Sequence, residues 1–316
     1  MPSSSAAVVV DGLVKSFGPL AAFDGKMVRV LDGVQLSAAA GQVTALLGAN
    51  GAGKTTTLEC AQGLQRPDGG SVRILGSNPY RASPDLRARV GVMLQEGGLP
   101  PAAKPLALLR HVAAMYAHPL DIRDLTERLG IGSYAATNIR RLSGGQKQRL
   151  ALACAMVGRP EVLFLDEPSA GLDPQSRTMV FDLINELRAD GVAVVLTTHL
   201  LDDAQRLADH VYIIEAGKTV AHGTVAELTS ERSADGMREL HFDTTPGLRL
   251  PAGMLPHLRF SEPIPGKYIL AGQLTAADLA ALATWWETCG AMPIAISMAP
   301  RSLEDVFFDI SGRSIR

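Results

Sequence analysis

A glycine-rich loop followed by lysine and threonine is the segment of this chain with the most specific chemistry. It reads Gly-Ala-Asn-Gly-Ala-Gly-Lys-Thr at residues 48–55, between an apolar run and a helical pattern. Glycines let backbone N–H groups converge on phosphate oxygens, and a helix N-terminus favours negative charge. The spacing predicts that Lys54 bridges the β- and γ-phosphates of a nucleotide, that Thr55 ligates Mg²⁺ and that Thr56 donates to the α-phosphate. The residues expected to contact the nucleotide are Gly48, Asn50, Gly51, Ala52, Gly53, Lys54, Thr55 and Thr56.

Two adjacent carboxylates, Asp166 and Glu167, follow a second apolar run at residues 161–165. Burying both at a strand end is unfavourable unless a cation or a reacting group uses them. We expect Asp166 to orient the Mg²⁺ shell and Glu167 to act as a general base toward the attacking water. The alternative is an acidic pair that only caps a helix. The run Pro-Ser-Ala-Gly-Leu-Asp at residues 168–173 weakens that alternative.

A third segment, Ser143-Gly-Gly-Gln146, has the spacing of a capping box and therefore predicts a helix start. On these four residues alone, a bare helix cap is the simpler interpretation. The glycine pair and the distance to Asp166 favour a binding role instead. Two glycines leave N–H groups unshielded at the positive end of a helix, which suits an incoming γ-phosphate.

An alternation of strands and helices over residues 8–223 has to position these segments. Val43–Leu47 is an apolar strand that leads into the glycine loop, and Lys54–Gln62 is the helix after it. A later strand at residues 192–196 carries His199 just beyond its end. The pattern predicts an α/β sheet with its chemistry at the carboxyl ends of the strands.

The change of pattern along the sequence predicts two domains. Residues 1–231 contain the segments described above, together with a helical insertion at about residues 97–158 that follows a cluster of prolines. Residues 232–316, called the tail below, have short strand-like runs and two capped helices and predict a small α+β domain with an accessory or regulatory role. Trp285 and Trp286 are adjacent, so one narrow helical stripe cannot bury both. We expect one of them to face the first domain or a second tail; burial of both on a broad core face is the alternative.

Composition excludes several classes of protein. The chain has 316 residues, 47% of them hydrophobic and 20% charged, with a formal net charge of −2. These values are ordinary for a folded domain and give no electrostatic reason to expect nucleic acid as a partner. No apolar run approaches the ~20 residues that span a bilayer, and the N-terminus lacks the basic segment of a signal peptide. Cys60, Cys154 and Cys289 have no metal-ligand spacing, which indicates reduced thiols.

Six motifs in this order resemble those of ATP-binding cassette (ABC) proteins. They are the glycine loop, Gln95, Ser143–Gln146, Asp166-Glu167, the run at residues 168–173 and His199. The resemblance implies the α/β fold of a P-loop NTPase cassette with a helical subdomain, ATP and Mg²⁺ as ligands, and ATP hydrolysis. In this family two subunits sandwich two ATP molecules, so the resemblance also implies a homodimer.

The resemblance assigns roles to further residues. Gln95 would join the Mg²⁺ and water shell, His199 would contact the γ-phosphate, and Asp173 would cross the dimer interface. An aromatic side chain that stacks on adenine is matched by Phe17, but about eight extra residues follow it and Phe23 is a rival. The residues expected to bind ATP held mainly by the partner subunit are Ser143, Gly144, Gly145 and Gln146.

A weaker resemblance covers residues 302–313, Ser-Leu-Glu-Asp-Val-Phe-Phe-Asp-Ile-Ser-Gly-Arg. This segment is similar to the ending of ATP-binding subunits in the daunorubicin-resistance type of exporter. Those subunits pair with separate integral membrane permeases of the ABC-2 type. The resemblance therefore implies export of drug or lipid-like cargo and a location at the cytoplasmic face of the membrane, through the permease.

Two other classes of function fit the sequence less well. ABC ATPases that act on DNA or the ribosome typically carry a long coiled-coil insertion or two cassettes, whereas this chain has one cassette and no sustained heptads. A regulatory or scaffold protein that binds nucleotide without turnover would not need both Glu167 and His199.

Overall fold

The computed structural model describes residues 6–20, 26–95, 98–230, 238–251, 253–298 and 302–312. The chain divides into two compact units. The first unit consists of Met1–Val225 together with Ile310–Arg316, and the second unit of Ala226–Asp309. The boundary predicted after residue 231 adjoins residues that the structure does not describe, and the accessory role of the tail stays a prediction.

The first unit contains two sheets among its described residues. Its strands are β1 (Ala6–Leu20), β2 (Lys26–Ala39), β3 (Val43–Leu47), β4 (Gly69–Ile74), β5 (Val90–Met93), β6 (Val162–Asp166), β7 (Ala193–Thr198), β8 (His210–Glu215) and β9 (Lys218–Gly223). The larger sheet has the order β5-β6-β7-β3-β8-β9 and is parallel except for β9. The smaller sheet, β2-β1-β4, is antiparallel and was not predicted.

Helices connect the strands of the larger sheet. They are α1 (Lys54–Gln62), α2 (Pro84–Ala88), α3 (Pro105–Ala113), α4 (Ile122–Arg128), α5 (Gly144–Met156), α6 (Pro174–Ala189) and α7 (Leu201–Leu207), and a further helix, α8 (Val225–Ser230), follows β9. The helices α3, α4 and α5 lie between β5 and β6, where the sequence predicts a helical insertion. Because parallel strands of such a sheet are covered on both faces, they read as continuous apolar runs.

The central strands bring the predicted motifs to one edge of the sheet. Every residue of β3, β6 and β7 is buried, and the three strands are adjacent and parallel. Their register pairs Leu47 with Thr198 and Asp166 with Thr197. The glycine loop, the carboxylate pair and His199 therefore all leave the sheet at the same end.

Two helix starts follow the local signals in the sequence. At α5, the Ser143 hydroxyl accepts from the Gln146 N–H at 3.2 Å, and the Gln146 side chain accepts from the Ser143 N–H at 3.0 Å. At α6, the Asp173 carboxylate accepts from the Ser176 N–H at 3.0 Å, and proline occupies the first turn. The capping box predicted at Ser143 is confirmed, and Asp173 provides the N-cap of α6.

The second unit packs one helix on an antiparallel sheet. Its elements are β10 (Arg238–Asp243), β11 (Arg259–Ile264), β12 (Lys267–Gly272), α9 (Ala276–Cys289), β13 (Ala295–Ser297) and α10 (Leu303–Ser311). The strand order is β11-β12-β10-β13. The strand-like runs of the tail sequence, at residues 240–242, 267–270 and 293–296, overlap β10, β12 and β13, whereas β11, most of whose residues are exposed, was not predicted.

Both tryptophans belong to the core of the second unit, so the expectation that one of them faces away from it is wrong. Trp286 meets Phe242 edge-on at 5.0 Å between ring centroids, and Trp285 meets Phe260 at 6.1 Å and 89°. Both indoles are buried with Leu282. The sheet presents a broad aromatic surface, so a wide face of α9 is covered rather than a narrow stripe.

Candidate nucleotide-binding site

The glycine loop connects β3 to α1 through backbone that other residues would strain. Gly53 has φ 105°, and a Cβ there would lie 2.6 Å from the Leu31 side chain. A Cβ at Gly48 would lie 2.5 Å from the carbonyl oxygen of Ile214. Both positions therefore require glycine, and the loop leaves Asn50 and Gly51 exposed. Ala52 is buried, while Thr55 is exposed and Thr56 half-buried in the first turn of α1.

Lys54 is a buried cation with no carboxylate partner within salt-bridge distance among the described residues. Its Nζ donates to the carbonyl oxygens of Gly48 at 2.8 Å and Ala49 at 3.2 Å. Burial lowers the pKa of Lys54, and the nearby charges of Glu167 and Asp166 oppose that shift. A desolvated ammonium held only by loop carbonyls is suited to an anionic ligand at the same place.

The carboxylate pair is anchored to the end of β7. Thr197 donates its hydroxyl to Asp166 Oδ1, and the Glu167 N–H donates to the Thr197 hydroxyl at 3.1 Å. Glu167 is buried and has φ 53°, a left-handed conformation that is strained for a glutamate. Such strain is typical of active-site residues that the surrounding structure holds in place.

His199 contacts the same glutamate. Its Nδ1 lies 2.6 Å from Glu167 Oε2, and the imidazole is about one third exposed. When the carboxylate is ionised, Nδ1 carries the proton and donates it, because an ionised carboxylate only accepts. The pair therefore joins a buried carboxylate to a partly exposed histidine.

The N-terminus of α5 presents its glycines to solvent. Ser143 and Gly144 are exposed, and a Cβ at Gly144 would meet nothing within 4 Å. Gly145 instead faces Leu172, whose side chain would lie 3.1 Å from a Cβ there. Asp173 is exposed, and hydrogen bonds from Ser176 lower its carboxyl pKa.

Comparisons with known proteins place this geometry in a family. A family profile described as ABC transporter matches residues 31–170. The chain is 37% identical over 235 residues to daunorubicin resistance ATP-binding protein DrrA3 of Streptomyces coeruleorubidus, covering 72% of each chain. It is 32% identical over 313 residues to Nod factor export ATP-binding protein I of Ralstonia nicotianae, covering 97% of this chain and 94% of that protein. The chain belongs to the ABC transporter family.

Solved structures agree with this assignment. An ATP-binding subunit of an ABC transporter is 26% identical, with a TM-score of 0.63 over 72% of this chain and 93% of that one. The dimeric cassette MJ0796 bound to ADP and Pi is 23% identical, with a TM-score of 0.61 over 69% and 98%, and supports the fold alone. The expected cassette fold and ATPase class are confirmed. In the described part of this ABC ATPase, no helix is long and apolar enough to cross a membrane.

The residues around the carboxylate pair of this ABC ATPase fit a magnesium ion. Mg²⁺ prefers oxygen ligands and usually keeps waters and substrate phosphates in its shell. Thr55 offers an exposed hydroxyl, and Asp166 Oδ2 accepts no hydrogen bond from the described residues. Among these residues no group of three or more His, Cys, Asp or Glu could hold a metal. The donor set therefore suits an ion that the nucleotide also ligates.

Two predicted positions of the ABC ATPase lie at the edges of the described residues. Gln95 is exposed just beyond β5, next to residues 96–97, which the structure does not describe. Phe17 is half-buried on β1, with Lys15 Nζ 5.4 Å from its ring centroid. The rival Phe23 lies outside the described residues, so the choice between the two aromatics stays open.

Sequence reasoning missed several residues that support the site of the ABC ATPase. Thr197 hydrogen-bonds the Asp166 carboxylate and the Glu167 backbone N–H, and Gln148 donates its side-chain amide to the Glu167 carbonyl at 2.5 Å. A polar residue at the end of an apolar strand was the available signal for Thr197. Nothing local in the sequence marks Gln148, because its partner is 19 residues away.

Proposed function

We propose that this chain is the ATP-hydrolysing subunit of an exporter, working as a homodimer on a separate integral membrane permease of the ABC-2 type. The observation that carries the proposal is the buried, strained Glu167 held by His199 at the sheet edge where the glycine loop begins. A protein that only bound nucleotide would have no use for that pair. Export as the purpose follows from the relatives named for daunorubicin resistance and Nod factor export.

In the proposed reaction, backbone N–H groups of the glycine loop and Lys54 bind the phosphates of ATP. Glu167 accepts a proton as the oxygen of water attacks the γ-phosphorus, and the bond to the β-phosphate oxygen breaks to release ADP. His199 orients Glu167 and contacts the γ-phosphate. Thr55, Gln95 and Asp166 would hold Mg²⁺, which neutralises developing charge on the phosphates.

We propose that the second half of each site comes from the partner subunit. The exposed N-terminus of α5, with Ser143, Gly144, Gly145 and Gln146, suits the γ-phosphate of ATP bound by the other chain. Asp173 is exposed and would cross the interface. Phe17 would stack on adenine. ATP would thus close the dimer, and hydrolysis would reopen it.

The cargo, in this proposal, is a drug or a lipid-like molecule, and the chain lies at the cytoplasmic face of the membrane. The helical insertion would transmit the motion of the dimer to the permease. The energy for this coupling would come from the difference in ATP-binding free energy between the open and closed states of the dimer. The tail would be an accessory domain that regulates or stabilises the dimer. Co-purification of an ABC-2 permease with the chain from solubilised membranes, with ATPase activity that responds to it, tests this part.

The substitution Glu167→Gln tests the hydrolytic role. We expect kcat to fall by about 10²- to 10⁴-fold with ATP binding retained, because the base is lost while size and hydrogen bonding remain. The variant should accumulate as an ATP-bound dimer in size-exclusion chromatography. The control is Glu161→Gln, the same change at the amino end of β6, where Glu161 pairs with Arg89. A Glu167→Gln chain that stays monomeric in saturating ATP and turns over normally would refute the assignment.

A further inference from the structure

Asp203 is a buried carboxylate in the first turn of α7 that the proposed reaction does not use. Only 1% of its surface is exposed, so it does not reach a nucleotide. One of its oxygens, Oδ2, accepts from the Ser169 hydroxyl, and the other, Oδ1, accepts from the guanidinium of Arg177. A buried charge is unfavourable unless it is paired and hydrogen-bonded, and here both oxygens have partners.

These partners connect the two loops that carry the hydrolytic pair. Ser169 is buried two residues after Glu167, in the loop between β6 and α6. Asp203 lies four residues after His199, beyond the loop between β7 and α7. The Ser169–Asp203 hydrogen bond is therefore a second link between the same two loops that Glu167 and His199 join directly.

The helices behind these loops are held together at the same end. The guanidinium groups of Arg177 on α6 and Arg206 on α7 lie 5.4 and 5.1 Å from the ring centroid of the buried Phe181. Arg177, Arg206 and Phe181 therefore form, with Asp203, a packed block next to the loop that contains Ser169. The block limits how far Ser169, and with it the backbone of Glu167, can move.

The other end of the same helices provides a comparison. Arg188 on α6 approaches Asp209, just after α7, at 3.3 Å. Both side chains are about one third exposed, and Asp209 also accepts from the Val43 N–H at 2.8 Å. This ion pair lies at the amino end of the sheet, away from the carboxylate pair. Its partial exposure makes it a weak pair, in contrast to the buried one.

We propose that Asp203 is a positioning residue for hydrolysis: through Ser169 it holds Glu167 in the orientation that accepts a proton from water. The inference rests on the proposed role of Glu167 as general base. The left-handed backbone of Glu167 is strained and persists only where its surroundings hold it. Ser169 also belongs to the run that ends at the exposed Asp173. The same contact therefore links the hydrolytic pair to the segment proposed to meet the partner subunit.

The test compares Asp203→Asn with Asp209→Asn in the full chain, by steady-state ATP hydrolysis. For Asp203→Asn we expect kcat to fall about 10- to 100-fold while KM for ATP changes less than about threefold, since a displaced base slows chemistry without altering the phosphate loop. Asp209→Asn, which removes the same charge from the distant pair, should keep both constants within about twofold.

Ser169→Ala covers the case in which Asp203→Asn does not fold, because it removes only one hydroxyl. We expect it to lower kcat about fivefold with KM unchanged. Unchanged kcat in the folded variants, or an equal loss of ATP affinity and kcat, would overturn the inference. Glu167→Gln separates the two proposals: if it hydrolyses ATP normally, the proposed function fails. If it is inactive while Asp203→Asn and Ser169→Ala are fully active, only the positioning role fails.

Discussion

Two of the three sheets in the described part of this protein bury polar groups in different ways. At the carboxyl edge of the parallel sheet, Lys54, Asp166 and Glu167 are all buried, and their partners come from other strands or loops. In the second unit, the described residues that are both polar and buried are Thr244 and Asp278. Asp278 closes the capping box of α9 with Thr275. One region gathers buried charge from distant parts of the chain, whereas Asp278 is satisfied mainly at its own helix start, with His257 Nε2 3.2 Å away as a further partner.

The difference teaches how to separate function from stability in this molecule. In the described part of the chain Lys54 is held only by carbonyl oxygens, and Glu167 keeps a strained backbone, so neither arrangement is explained by folding alone. Asp278 accepts hydrogen bonds that its own helix start supplies, which is a stabilising arrangement. We therefore expect substitutions at the parallel sheet to remove activity without loss of stability, and those in the second unit to do the reverse.

The largest effect on ATP binding is expected from Lys54→Ala. ATP affinity should fall by about 10- to 100-fold, because charge-assisted hydrogen bonds to the phosphates are lost. The Tm should stay the same or rise, since a desolvated ammonium is removed. Nucleotide titration and calorimetry of the same preparation measure both. A large fall in Tm would show that Lys54 is structural and would break the comparison.

A mixed dimer controls this result. Ser143→Arg should leave ATP binding to one chain intact but prevent closure, because it places a large cation at the exposed end of α5. Combining Lys54→Ala and Ser143→Arg chains would restore one complete composite site and part of the hydrolysis. Loss of ATP binding by an isolated Ser143→Arg chain would contradict the shared site.

The largest effect on stability is expected from Trp286→Ala, at about 3–5 kcal/mol of unfolding free energy for the second unit. The chain has two tryptophans, and both lie in this unit, so tryptophan fluorescence follows its unfolding selectively. Trp286→Phe is the control, because it keeps a ring against Phe242 and should cost less than about 1.5 kcal/mol. Loss of ATP binding in folded Trp286→Ala would mean that the second unit is not a separate source of stability.

The smallest effect is expected from Asp278→Asn. The hydrogen bond from Thr275 is the main cause that lowers the pKa of Asp278 below its usual range. A lowered folded-state pKa stabilises the protein above the unfolded value of about 4, and this stabilisation is lost as pH falls through the folded-state pKa. Asp278→Asn should therefore lower Tm at pH 7 and have no effect at the acid end. Fluorescence-monitored melting across pH tests this, with the exposed Glu287→Gln as control.

Much of the site could be predicted because its signals are local. The apolar run Val43–Leu47 matches β3 residue for residue. In the loop that follows, Gly48 and Gly53 stand where a larger residue would clash with its neighbours. The capping residues at Ser143 and Asp173 also mark the starts of α5 and α6. Each of these features depends on side chains within a few positions of one another, so a single sequence is enough to recognise it.

Other features could not be predicted because their partners are distant in the chain. The sheet β2-β1-β4 pairs Val10 with both Leu36 and Val72, and no local pattern announces that pairing. The two tryptophans are both buried because an aromatic sheet surface covers a wide face of α9. The adjacency of Trp285 and Trp286 predicted that the helix could not bury both, because that reasoning took no account of the sheet packed against the helix.

The sequence by itself determined which residues can carry the chemistry: Lys54, Asp166, Glu167 and His199, each beside an element that local rules predict. Only the tertiary structure decided how they meet. Glu167 and His199 are 32 residues apart, and their hydrogen bond exists because β6 and β7 are parallel neighbours in register. The Asp203 contact arises in the same way, 34 residues from Ser169. Parallel strands are always joined by a crossover, so contacts at their ends are non-local and depend on strand order that no single segment contains.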